Sequence, residues 1–248
     1  MALLFGFASL FAAPAAAQQY VVQVTVTESW TEYPADNADR TIAVRRARTP
    51  TSIAAYGPFR VLDESRAVLV GVTGPATPAQ FQAMLRDYPG LKRLEFLECP
   101  GTEDDRANLA TGRLIRAAGL ETHVPADGSV RSGAVELFLA GQTRSIEDGA
   151  EFAVHSWLDE SGREADDYPA DSPEHLTYLR YYREMGLEEG QAKAFYDMTN
   201  SVPNESALWL TAQDMRGWLG DAPQGTVTAQ APTQEPRISY LDFAATSF

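Results

Sequence analysis

The 248-residue chain has a single cysteine, Cys99, which excludes an internal disulfide framework and a cysteine-based zinc cluster. Positive charge is scarce. Its 20 Lys and Arg stand against 34 Asp and Glu, a formal net charge of −14, which makes nucleic acid an unsuitable partner. No His pair has zinc-ligand spacing, and the acidic stretch 159–167, DESGREADD, lacks the alternating ligands and central glycine of a calcium loop. Phosphate-binding loops of the Walker or dinucleotide type are missing too, as are internal repeats. The expectation is therefore a chemistry with no metal and no cofactor. Beyond residue 17 no stretch is apolar enough to span a bilayer.

What is present is a globular balance, 44% hydrophobic and 22% charged, sufficient to bury a core. Residues 1–17, MALLFGFASLFAAPAAA, are uncharged, apolar and end in small residues. They read as a signal peptide with a cleavage site at Ala15-Ala16-Ala17, although a positive n-region is lacking, and an uncleaved N-terminal anchor is the rival reading. A periplasmic or secreted protein follows from the first reading, with no stable membrane insertion once the leader is removed. Residues 18–56 read as an N-terminal strand, Tyr20 to Val26, and a polar arm carrying Arg45, Arg46 and Arg48 as a solvated cluster. The main domain spans 57–221. A flexible tail, 222–248, is rich in Ala, Pro, Gln and Thr.

Within the domain, Phe59 to Leu62 and Ala67 to Val72 alternate as strands of a hairpin across Asp63-Glu64-Ser65. Thr77 and Pro78 predict the cap and first turn of a helix over 78–86. Leu91 to Leu97 reads as a strand. Arg106 to Ala118 reads as a helix with Ala107, Ala110, Leu114 and Ala117 on one face. The strand Leu120 to Pro125, the short apolar helix Ser132 to Ala140 and the strand Ala150 to Trp157 follow. An acidic loop then leads to helices from Pro173 and from about Glu188 to Thr199, and Thr211 and Asp214 predict a capping box for a last short helix. Such alternation predicts an α/β fold with a mostly parallel sheet and covering helices. In such sheets ligands gather beyond the carboxyl ends of the strands.

Three loops at such ends carry groups suited to acyl transfer: Cys99-Pro100-Gly101-Thr102, Ser132-Gly133 and His155. A serine at a helix N-terminus is presented from a rigid element beside amides that favour developing negative charge. A histidine on a neighbouring strand end can take its proton.

The segment from Leu94 to His155 resembles the Clp protease proteolytic-subunit family of the Clp/crotonase fold, and is similar to secreted bacterial Clp-like proteins of unassigned function. The family's Ser-Pro-Gly-Gly loop corresponds to Cys99-Pro100-Gly101-Thr102. Its nucleophile motif corresponds to Arg131-Ser132-Gly133-Ala134-Val135-Glu136-Leu137, and its histidine falls on His155 in FAVHSW. More loosely, LWLTAQDMRGWLGD resembles the family's last strand end and helix, so the resemblance covers residues 57 to about 221. It implies a sheet built from repeated ββα units and a serine hydrolase acting on unfolded or short peptides. Ser132 would be the nucleophile, His155 the base, and the N–H groups of Gly101 or Thr102 and of Gly133 the oxyanion donors. The family's triad aspartate lies just before the last strand, where this chain has Asn204-Glu205-Ser206, so Asn204 or Glu205 would orient His155. Ring-forming relatives make a homo-oligomer a candidate state. No ATP-driven unfoldase partner is expected where ATP is absent.

The departures point to a rival, a non-catalytic Clp-like binding or assembly module. Thr102 replaces a family glycine, and a positive φ there would be strained. Glu136 replaces an apolar residue, and the triad aspartate is missing. Bland readings stand beside each residue: Ser132 as a helix cap, His155 as a core histidine, Glu136 as solvated, Cys99 as a small buried residue rather than a thiol nucleophile, and His123 and His175 as structural or solvated. Glu98, Glu103, Asp104 and Asp105 before the helix, and Asp159, Glu160, Glu164, Asp166 and Asp167 after His155, are expected to rim the site and to favour cationic peptides.

Overall fold

The computed structural model describes residues 50–220. The expected leader, the strand Tyr20 to Val26, the arginine cluster and the tail 222–248 lie outside them. Among the described residues no helix is long and apolar enough to cross a membrane.

The chain begins with an antiparallel meander of β1 (Ala54–Tyr56), β2 (Phe59–Val61) and β3 (Arg66–Val70). The β2–β3 hairpin is where its turn residues predict it, because the Asp63 carboxylate accepts hydrogen bonds from Ser65 N and Oγ at 2.9 and 2.8 Å and closes the turn. Helix α1 (Thr77–Asp87) follows, with Phe81 and Met84 buried and the Phe81 ring 5.3 Å from that of Phe59. Thr77 does not cap it. The cap position is Ala76, and Thr77 Oγ1 instead accepts from Gly74 N at 2.9 Å.

Then come β4 (Arg93–Cys99) and α2 (Asp105–Ala117), whose cap is the Asp104 carboxylate accepting from Ala107 N at 2.8 Å. Of the face made by Ala107, Ala110, Leu114 and Ala117, the first three are half-buried, with Leu114 against the core, and Ala117 is exposed. The deepest burial falls beside it, at Asn108, Leu109, Thr111, Gly112 and Ile115. Asn108 and Thr111 are polar, yet both have internal partners, and Gly112 is there because a Cβ would fall 1.8 Å from Tyr181 Oη.

The remaining elements are β5 (Glu121–Val124), β6 (Ser129–Arg131), α3 (Gly133–Leu139), β7 (Thr143–Ile146), β8 (Glu151–Val154), α4 (Pro173–Glu184), α5 (Glu189–Thr199), β9 (Leu208–Thr211) and α6 (Ala212–Leu219). The Thr211 and Asp214 capping box opens α6 as predicted. The fold is α/β, with a nine-stranded sheet that is mostly parallel from β3 onward and is closed at one end by antiparallel β9.

The sheet forks at β4. Its first half, Arg93 to Glu95, pairs with β5, which continues to β7, while Glu98 and Cys99 pair with β6, which continues to β8 and β9. Short α3 sits in the fork with all seven residues buried, as an apolar helix must when covered on every side. Phe138 on α3 packs between Phe96 of β4 and Phe152 of β8, with ring centroids 6.1 and 5.3 Å away.

Candidate active site

Strand register gathers the site. In β4 and β6 Cys99 is level with Val130, so two residues further on Gly101 comes level with Ser132. In β6 and β8 Arg131 is level with Ala153, so Ser132 is level with Val154 and His155 follows one residue beyond. Adjacent strands lie about 4.8 Å apart. Three neighbouring parallel strands therefore deliver Gly101, Ser132 and His155 to one carboxyl edge. Antiparallel β9 pairs Leu208 with Val154, which brings the residues leading into it, Asn204 among them, to the same edge.

These residues line one cavity of about 430 Å³. Ser132, Gly133, Gly101, Thr102, His155 and Asn204 are all in its wall. Glu205, the other residue considered for orienting His155, is exposed and outside the lining.

Ser132 is the only non-glycine residue with positive φ among those described, at φ 48° and ψ −133°. Its side chain makes no capping bond to α3, so the bland reading of Ser132 as a helix cap fails. Such a backbone costs on the order of 1–3 kcal/mol and persists only where its surroundings hold it. They do so here. Ser132 N donates to Ala153 O at 2.8 Å, and Asn108 Nδ2 donates to Gly133 O at 2.6 Å. Arg131 is buried and ion-paired with buried Glu98, which ties β6 to β4 immediately before the turn. This strand, sharp turn and helix present the Ser132 hydroxyl at the sheet edge.

Gly101 has φ 132°, and a Cβ on it would lie 2.9 Å from Ser132 Cβ and 3.2 Å from its Oγ. Thr102 is not strained, since its φ is not positive. It forms a parallel bridge with Thr73 in which Thr73 N donates to Gly101 O and Glu103 N to Thr73 O, so its own N–H points to the other side of the chain. Its methyl occupies the space a Cβ on Gly133 would need, 2.5 Å away. As the first residue of α3, Gly133 has an N–H without an intrahelical acceptor. Glycine is thus required on both sides of Ser132.

His155 Nδ1 donates to Ser156 O at 2.9 Å. A carbonyl can only accept, so this bond places the proton on Nδ1 and leaves Nε2 with a free lone pair. Asn204 Nδ2 donates to the same carbonyl at 2.8 Å and lies 3.1 Å from Nδ1. Asn204 is itself held through its N–H by the Glu164 carboxylate at 2.9 Å. His155 and Ser132 share the cavity without a hydrogen bond between them.

Cys99 is fully buried, its thiol donates to Leu69 O at 3.3 Å, and burial drives its pKa far up, so it is inert. His175 Nδ1 accepts from Tyr196 Oη at 2.7 Å, and Tyr196 in turn accepts from Trp157 Nε1 at 2.7 Å. His123 bonds Ser145 Oγ. Both histidines thus have partners within the fold.

Glu136 is not solvated. It is 8% exposed, lines the cavity one helical turn from Ser132, and accepts from Tyr182 Oη at 2.7 Å. Burial pushes its pKa up to about 7. Of the acidic residues expected at the rim, Asp105 alone lines the cavity, accepting from Tyr178 Oη at 2.7 Å. Although Asp105 is exposed by area, its carboxyl is crowded by protein on the cavity side, which raises its pKa. Five of the other rim residues hold the loops together: Glu98 pairs with Arg131, Asp104 caps α2, Asp159 binds Arg163 and Tyr168, and Glu164 and Asp167 form a capping box. Pattern reading missed Asn108 and the aromatic wall of Trp157, Tyr178, Tyr182 and Tyr196, because all come from elements distant in sequence. Among the described residues no group of three or more His, Cys, Asp or Glu is placed to hold a metal ion.

No family model and no curated protein matches the chain. Among solved structures it is similar to ClpP1 from Listeria monocytogenes, at 14% identity and a TM-score of 0.44 over 63% of this chain and 88% of that one. It is similar also to the 1510-N membrane-bound stomatin-specific protease in complex with a substrate peptide, at 16% identity and a TM-score of 0.41 over 61% of this chain and 71% of that one.

Proposed function

We propose that the chain is a serine hydrolase acting on unfolded or short peptides. The observation that carries this reading is the strained, uncapped Ser132 facing a cavity it shares with His155. Ser132 Oγ attacks the scissile carbonyl carbon while its proton passes to His155 Nε2. The C–N bond then breaks as that proton moves to the leaving amine. Water attacks the acyl carbon next, gives a proton to Nε2, and Ser132 recovers its own. The N–H of Gly133, with that of Gly101 or Thr102, faces the oxyanion. The Ser156 carbonyl selects the His155 tautomer, and Asn204 holds the ring in place.

The leader-like residues 1–17 support export, so the peptides would be met in the periplasm or outside the cell, without an ATP-driven unfoldase. A homo-oligomer is part of the same reading.

The test is turnover of activated peptide esters by purified protein. Ser132→Ala and His155→Ala lower kcat/KM by a factor on the order of 10⁴ or more, whereas His123→Ala leaves it unchanged. Asn204→Ala costs only about ten- to a hundredfold, as loss of an orienting contact does. Equal turnover by wild type and Ser132→Ala would end this reading. One observation favours a second reading, a non-catalytic peptide-binding module: Ser132 and His155 are not hydrogen-bonded to each other. Catalytic hydrogen bonds often tighten only when substrate arrives, so the hydrolase reading stands first.

A further inference from the structure

The cavity beside Ser132 has a buried carboxylate in its lining. Glu136 is in the first turn of α3, four residues on from Ser132, and both side chains line the same cavity. Its carboxylate is within reach of a side chain attached to the carbonyl that Ser132 would attack. It is buried, yet in the cavity wall, and among the described residues neither it nor Asp105 is paired with a Lys or Arg. Its one side-chain partner, Tyr182 Oη, is a neutral donor that leaves the negative charge unbalanced.

Trp157 and Tyr178 stack on each other, 12° from parallel with centroids at 6.1 Å, and both line the cavity as an aromatic wall. Asp105 lines the same cavity, where it accepts from Tyr178 Oη. No Lys or Arg is in the lining. A buried carboxylate without a counter-ion is costly, whereas an arriving ammonium or guanidinium would supply the missing partner.

We propose that Glu136, with Asp105, selects a cationic side chain, lysine or arginine, on the acyl side of the bond that Ser132 cleaves. This rests on the hydrolase reading and specifies its substrate. It relocates the cation preference expected of the whole acidic rim to one carboxylate inside the cavity and its neighbour at the edge.

The experiment uses the full chain and two peptidyl diphenyl phosphonates that differ only in lysine or norleucine at the phosphorus-bearing residue. Attack forms the Ser132 Oγ–P bond and releases phenol, so the labelling rate reads recognition at that position alone. The lysine probe is expected to label wild type at least about tenfold faster than the norleucine probe. That ratio should fall to about 1 in Glu136→Gln and drop by a smaller factor in Asp105→Asn. Because it is measured within each variant, a general loss of reactivity cannot mimic the effect. Labelling at Ser132 with a wild-type ratio of 1 or less, or a ratio unchanged in Glu136→Gln, overturns the inference and leaves the hydrolase reading intact. No adduct with either probe, or with a simple fluorophosphonate, removes both.

Discussion

A glutamate buried in an apolar helix has to be accounted for at the level of the single residue. Glu136 is the one charged residue among the seven of α3, and its carboxyl titrates near 7 in the folded chain against an ordinary value of 4.5. The folded state therefore holds this proton more tightly than the unfolded state does. Between about pH 4.5 and 7 the difference works against folding as pH rises, and above 7 the whole cost is present. That cost is of the order of 3 kcal/mol. Glu136→Gln should accordingly be more stable than wild type by up to about 3 kcal/mol at pH 8, with the gap closing toward pH 4.5. Urea unfolding at the two pH values checks this. Equal stabilities at pH 8, or a gap that widens in acid, would show that the carboxyl is not desolvated as described. A residue that costs stability at neutral pH and lines the cavity fits a role in binding.

At the scale of elements, the turn from β6 to α3 concentrates the local strain. Ser132 holds φ 48° although its hydroxyl caps nothing, and it is pinned by Ala153 on one side and, through Gly133, by Asn108 on the other. Glycine adopts positive φ freely, while alanine keeps the clash. Ser132→Gly should therefore be more stable than Ser132→Ala by about 1 kcal/mol, the relief of strain exceeding the extra chain entropy glycine loses. The reverse order in thermal unfolding would contradict the strained turn.

Much of this level was legible in the residues. The strand and helix alternation, the β2–β3 hairpin, α3, α4, α5 and the Thr211 capping box follow from periodicity, turn chemistry and caps. What was not legible has physical causes. Strand β6 is three residues long and ends in Arg131, whose burial depends on Glu98 of another strand. Strand β7, TRSI, has no apolar alternation to announce it. The buried face of α2 is half polar because Asn108 and Thr111 find partners only in the folded chain. In the site, Ser132, His155 and Gly101 could be read as loop residues after strands, but their meeting depends on β4, β6 and β8 being adjacent, which is a property of sheet order. Glu136 looked solvated because its tyrosine partner is 46 positions away.

Across the whole molecule, the acidic residues behind the net charge of −14 serve different ends near the site. Glu98, Asp104, Asp159, Glu164 and Asp167 are engaged in caps and ion pairs that shape the loops, while Asp105 and Glu136 face the cavity. The forked sheet sets where the cavity forms. One branch, β5 and β7, extends the sheet behind α3. The other, β6, β8 and β9, brings Ser132, His155 and Asn204 to one edge.

The central claim is that Ser132 is a nucleophile made reactive by this edge. Intact-mass measurement after treatment with a fluorophosphonate, followed by mapping of the modified peptide, tests it most directly. The account predicts one adduct per chain, on Ser132, that is lost in Ser132→Ala and in His155→Ala and kept in His123→Ala. An unmodified native protein, or an adduct that persists in Ser132→Ala, would contradict it.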